Sequence, residues 1–201
     1  MPQSVPAWLV TALKDARPGH AKLTVADLVG EREFGRSGFS LSSPAFADGG
    51  EMDPCFTAQE EDAVAPPLEW NAPPPGTQEL VIIVEDADSA KDPSDAPTCH
   101  WLVWGLALQK GKLLEGEVPP RVGKNALKNS EWLLPDPKAD DAAHGYVFQI
   151  FALDLPLTLM PGAGRQDLVA AMRGHVIGAA VLTGTYARHE DEDEAWDEED
   201  V

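Results

Sequence analysis

Basic charge is scarce in this chain, and sulfur scarcer. Lys and Arg number 15 against 34 Asp and Glu, for a net charge of −19. Nine of the acids lie in the last stretch, 189–201, which holds no Lys or Arg; without those nine the charge is still −10. Too few cations remain to neutralise a phosphate backbone, which excludes a nucleic-acid binder. An anionic membrane surface would repel the chain as well. The two cysteines, Cys55 and Cys99, form no CxxC pair and support no disulfide framework. No apolar run approaches the ~20 residues of a membrane span. The N-terminus lacks the basic and apolar regions of a signal peptide. The expectation is a cytoplasmic protein that does not span a membrane.

What is present suits a globular domain. Apolar residues make up 43% and charged residues 24%, enough for a core of normal size. The 18 prolines and 17 glycines call for many turns. No internal repeat is visible. Three parts follow. Residues 1–38 read as an N-terminal helix and a linker, residues 39–188 as the domain, and residues 189–201 as a disordered acidic tail. A charge run this dense is solvated unless it docks on a basic partner.

Ser4–Ala16 reads as an amphipathic helix, with Ser4 as cap, Pro6 in the first turn and Trp8, Leu9, Ala12 and Leu13 on one face. That face needs a cover, either the domain or a second subunit. From Phe39 the texture changes to short strands between turns. Pro66–Trp70 reads as an edge strand, because proline cannot donate to a ladder. Leu80–Val84, His100–Leu106 and Tyr146–Ala152 are β-branched and aromatic runs, read as buried strands. The long stretch Gly111–Ala143 reads as a functional loop. Arg165–Met172 reads as a helix, followed by a second short helix and a last strand near Leu182–Arg188. Strands in the middle with helices near the ends indicate a mostly β, α+β domain.

Chemistry gathers at the ends of the three buried runs. Asp86 and Asp88 follow the first, and their i, i+2 spacing in extended chain aims both carboxylates one way. His100 opens the second run. Cys99 beside it faces the other side of the strand, so the two do not form a nucleophile pair. His144 opens the third, with Tyr146 and Phe148 on its face. Each of these residues also has a plain structural reading, as a turn-capping aspartate or a strand-end histidine. If the runs are neighbouring strands, two Asp and two His converge. Such a cluster suits a divalent metal, an acid–base pair, or an anion held by protonated imidazoles and loop N–H groups. The HxH or HExxH spacing of a metal site is missing, as is the GxSxG of a hydrolase.

Several motifs in order resemble one family. Val84-Glu-Asp-Ala-Asp88, His100-Trp101 and His144-Gly-Tyr146 with Phe148–Asp154 carry the likeness. Ser43–Phe46, Asp48–Gly50, Pro66–Trp70, Gly123–Asn125, Pro135–Pro137 and Gly184–Arg188 support it. Together they resemble the phosphatidylethanolamine-binding protein family, and within it the bacterial Raf-kinase-inhibitor-like branch, from about Phe39 to Arg188. The resemblance implies a β-sandwich-like fold with a large central sheet and a few short helices near the termini. It implies a small pocket for anions such as phosphate or phosphorylethanolamine, lined by Asp86, Asp88, His100 and His144, with Tyr146, Pro135 and Pro137 beside them. It implies no metal, no cofactor and no catalytic residue, a homodimer, and a protein partner such as a kinase. Ala87, Ala90 and Gly145 depart from the family pattern, and Asp140 and Asp141 add negative charge at the rim. The functional expectation is a non-catalytic binding module. The alternatives are a hydrolase using Asp86 and His100 as acid and base, and an interaction protein whose pocket is vestigial.

Overall fold

The computed structural model describes residues 4–89 and 95–188. The acidic tail at 189–201 and the departure at Ala90 lie outside the described residues. Among the described residues there are three short α-helices: α1 (Ala7–Ala12), α2 (Thr24–Leu28) and α3 (Arg165–Met172). Nine strands accompany them: β1 (Leu41–Ser42), β2 (Gly50–Glu51), β3 (Leu68–Trp70), β4 (Glu79–Asp86), β5 (Thr98–Trp104), β6 (Gly111–Leu113), β7 (Arg121–Val122), β8 (His144–Leu153) and β9 (Val176–Tyr186). Six of them form the main sheet in the order β2-β9-β8-β4-β5-β7, and β1-β3-β6 form a small second sheet. The fold is mostly β, as the strand pattern predicts.

The main sheet is buried on both faces, which is why its central strands read as continuous apolar runs. Alternation along β4 sorts the side chains. Leu80, Ile82 and Val84 face the small sheet, with Phe39, Leu41, Leu68 and Trp70. Val81 and Ile83 face a second layer made by the N-terminal segment and α3. That layer places Leu9, Leu13, Leu23, Val25 and Val29 together with Leu168 and Met172 on the sheet. The apolar N-terminal face thus packs on the chain's own domain, with Leu9 and Leu13 buried and Trp8 and Ala12 partly so.

The stretch Gly111–Ala143, expected as a loop, holds the short strands β6 and β7, and four other elements differ from expectation, each for a tertiary reason. The first helix spans only Ala7–Ala12, because the chain turns extended at Leu13 to carry that side chain into the core. The stretch Gly30–Gly38 is not a bare connection: Phe34 bridges to Ala179 on β9. Pro66–Trp70 does not lie at an edge. Its prolines stay outside the ladder, and Leu68–Trp70 sits between β1 and β6. No second helix follows α3. Instead β9 runs Val176–Tyr186 along the whole of β8, and a Cβ on its Gly178 would meet Pro74 Cγ at 2.5 Å. Among the described residues no helix is long and apolar enough to cross a membrane.

Candidate functional site

β8, β4 and β5 are adjacent and antiparallel. The end of β4 therefore meets the beginnings of both neighbours: Asp86 stands opposite Tyr146 on one side and Thr98 on the other. Convergence of the polar strand ends is a consequence of that order. A bulge adds to it. Val84 pairs with Trp101 but Glu85 pairs with Cys99, so His100 is the extra residue. Strict alternation from Trp101 would have turned His100 toward the helical layer. The bulge re-aims it, and its ring packs edge-on against Tyr146 at 5.1 Å.

Asp86 is buried and fully engaged. One carboxylate oxygen accepts from the N–H groups of Asp88 (2.7 Å) and Ser89 (3.2 Å), closing a turn directly after the strand. The other oxygen accepts from His144 Nδ1 at 2.8 Å. This turn undoes the expectation that both carboxylates point one way. It swings Asp88 across to the Gly145 N–H (2.8 Å) and to the Arg17 guanidinium (2.8 Å). Extended geometry ends at Asp86, and the i, i+2 rule ends with it.

The two histidines differ in charge. The hydrogen bond to Asp86 raises the pKa of His144 above its ordinary value, against the opposing effect of burial; the fields of Asp86, Asp88 and Asp141 raise it further. With Nδ1 given to Asp86, Nε2 is the remaining proton carrier, 3.8 Å from Asp141. His100 is pushed the other way, chiefly by burial. Its Nδ1 lies 2.6 Å from the Leu133 carbonyl, which can only accept, so this nitrogen holds the ring proton. The expectation of two protonated imidazoles is thus corrected: the structure favours charge on His144 and a neutral ring on His100.

Not every expected residue reaches solvent. An open cleft is lined by His144, Asp88 and Pro137, together with Arg17, Ser89, Asp136, Lys138 and Asp141. Asp86 lies behind His144. Tyr146 and His100 form the packed floor, with Tyr146 stacked beside His144 at 6.4 Å and Trp132 at 5.9 Å from His100. Burial, then Asp86, raises the pKa of the Tyr146 hydroxyl, which keeps it protonated. Pro135 is buried and takes no part in the lining; its carbonyl accepts from the Ala58 N–H. Arg17 was invisible in the sequence, being an ordinary arginine before a Pro-Gly turn.

The cleft holds three cationic groups, Arg17, Lys138 and His144. Asp88 faces Arg17 and Asp136 pairs with Arg188 at 2.8 Å, while Asp141 remains at the rim. No hydrogen bond joins Asp86 to His100 among the described residues; Asp86 engages His144 instead. No group of three or more His, Cys, Asp or Glu placed to hold a metal ion occurs among the described residues. The arrangement can present one imidazolium N–H, backed by a buried carboxylate, to a group in the cleft.

A family model described as phosphatidylethanolamine-binding protein matches residues 42–187. A UPF0098 protein of Methanothermobacter thermautotrophicus is 33% identical over 159 residues, covering 74% of this chain and 99% of that one. A UPF0098 protein of Chlamydia pneumoniae is 37% identical over 150 residues, covering 74% and 98%. Among solved structures, a phosphatidylethanolamine-binding protein homologue from Chlamydia trachomatis superposes with a TM-score of 0.69 at 33% identity, covering 75% and 98%. YbcL of E. coli shares the fold, with a TM-score of 0.66 at 19% identity over 75% and 99%.

Proposed function

The chain belongs to the phosphatidylethanolamine-binding protein family, and from that premise we propose that it is a non-catalytic binding module whose cleft takes a small anionic group of the phosphate type. One observation carries the reading: the 2.8 Å contact between His144 Nδ1 and the buried carboxylate of Asp86. A buried carboxylate stabilises the imidazolium. The charged ring then offers Nε2–H to the cleft, where a phosphate oxygen makes a charge-assisted hydrogen bond. Arg17 and Lys138 on the same walls add to the attraction. Nothing in the reading needs a nucleophile.

Calorimetric titration with inorganic phosphate and with phosphorylethanolamine at pH 6 tests it. The His144→Ala variant should bind at least about tenfold more weakly, the effect of one charge-assisted hydrogen bond. Equal heats for the two proteins, or none for either, sink the proposal. Tighter binding of phosphorylethanolamine than of phosphate by the wild type points to a head-group amine read by the rim acids.

A further inference from the structure

The core between the two sheets is open on one side. There an open groove of about 370 Å³ is walled by Val64, Trp101, Val118, Val122, Trp132 and Leu134. Val64, Val122 and Trp132 pack on that core but are only partly buried. Val118, on the connection between β6 and β7, is 84% exposed. The groove shares no lining residue with the anion cleft. Trp132 stands between the two, 5.8 Å from Trp101 and 5.9 Å from His100. An apolar groove with aromatic walls and an exposed aliphatic side chain at its mouth has the makeup of an interface core.

Charge decides what such a groove can accept. Glu117 and Glu131 line it, and no Lys, Arg or His does. Asp62 and Glu115 directly precede the wall residues Ala63 and Gly116. All four acids are exposed. None of them is ion-paired among the described residues. Glu117 accepts only the Leu114 N–H, at 2.7 Å. A second copy meeting this face with its own would set the acids against themselves. The chain's own segment 189–201 carries nine acids and no Lys or Arg, so it is repelled as well.

We propose that the groove is a docking surface for a segment of another protein in which apolar side chains are flanked by Lys or Arg. The apolar side chains fill the space against Trp101, Trp132 and Val118. The cations meet Glu117 and Glu131 at the rim, where complementary charge sets partner choice more than affinity. The surface does not depend on the anion cleft being a binding site.

Full-length protein labelled with ¹⁵N is titrated with a short synthetic peptide alternating leucine with lysine, while the Trp101 and Trp132 indole N–H signals are followed by NMR. Two counterparts serve as controls, one alternating leucine with glutamate and one alternating serine with lysine. The leucine–lysine peptide should give saturable shifts at both indoles, and each control should bind at least about tenfold more weakly. Glu117→Lys combined with Glu131→Lys should raise the half-saturation concentration about tenfold, the sum of two exposed pairs turned repulsive. Val118→Ser leaves every charge in place and should raise it about fivefold through lost apolar contact. Three results overturn the proposal. One is equal binding of the serine–lysine peptide, which leaves charge alone as the attraction. Another is peptide-induced shifts confined to the amides of 189–201. The third is indole shifts that grow with protein concentration in the absence of peptide, which would give the groove to a second copy.

Discussion

Glu85 and Asp86 are chain neighbours at the end of β4, both buried, and they serve opposite ends. Glu85 points into the helical layer. It accepts from the Thr24 N–H (2.7 Å) and hydroxyl (3.0 Å), from Gln149 Nε2 (2.8 Å) and from the Arg165 guanidinium. Every lone pair is met, every partner comes from a different element, and none faces the cleft. Asp86 points to the other side and holds one histidine whose second nitrogen is left for the cleft. A carboxylate saturated by fixed donors is a structural anchor. One that charges a neighbour with a free N–H is a functional group. Sequence adjacency, burial and residue class are shared; the count of remaining donors separates the two.

That contrast can be broken in three places. The largest effect is expected at Arg165→Met, which leaves the Glu85 carboxylate without its cation. Breaking a buried pair from one side costs about 3 kcal/mol or more, read as a fall in the urea midpoint, while the His144 titration should stay where it is. A loss under about 1 kcal/mol would mean that Thr24 and Gln149 alone hold the charge.

Asp86→Asn should do the reverse. Its amide oxygen still caps the turn, so stability should fall by only about 1 kcal/mol. The His144 pKa should drop back toward its ordinary 6.5. Phosphate affinity at pH 7.5 should fall about tenfold, as expected for a lost charge-assisted contact. The sign of the pH dependence follows. In the wild type the His144 pKa is raised, so its stabilising share is complete below pH 6.5 and is lost as pH climbs through the folded value. His100 and His20 are lowered, so theirs is complete above 6.5 and lost as pH falls. NMR titration of the imidazoles checks all three. A His144 pKa unmoved by Asp86→Asn would falsify the assignment.

The smallest effect is expected at Asp141→Asn. This half-exposed acid lies 3.8 Å from His144 Nε2 and repels an incoming anion. At pH 5.5, a unit below the ordinary histidine value, removing Asp141 should raise phosphate affinity about threefold, the scale of one screened contact. A drop in affinity would instead make Asp141 part of the ligand's own recognition.

How much of this was legible beforehand depended on range. The three buried runs and α3 could be read because β-branched clustering and helical spacing are local signals. Asp86, Asp88, His100 and His144 could be placed at strand ends, and the family motifs set them side by side. The divergence of Asp88 could not be read, since it depends on which N–H groups the Asp86 turn captures. Nor could the bulge that turns His100, which shows only in the pairing of β4 with β5. Arg17 reaches the cleft from another part of the chain and left no local mark. Glu85 did leave one: a charged residue in phase with Val81 and Ile83 on an apolar strand implies a buried partner.

The anchor at Glu85 also gathers segments far apart in the chain. Thr24 precedes Glu85 by 61 residues, and Gln149 and Arg165 follow it by 64 and 80. Burial of Glu85 without α3 would leave its carboxylate lacking the Arg165 guanidinium. Through this one carboxylate α3 is tied to α2 on one face of the sheet, so the two ends of the domain share a single buried charge.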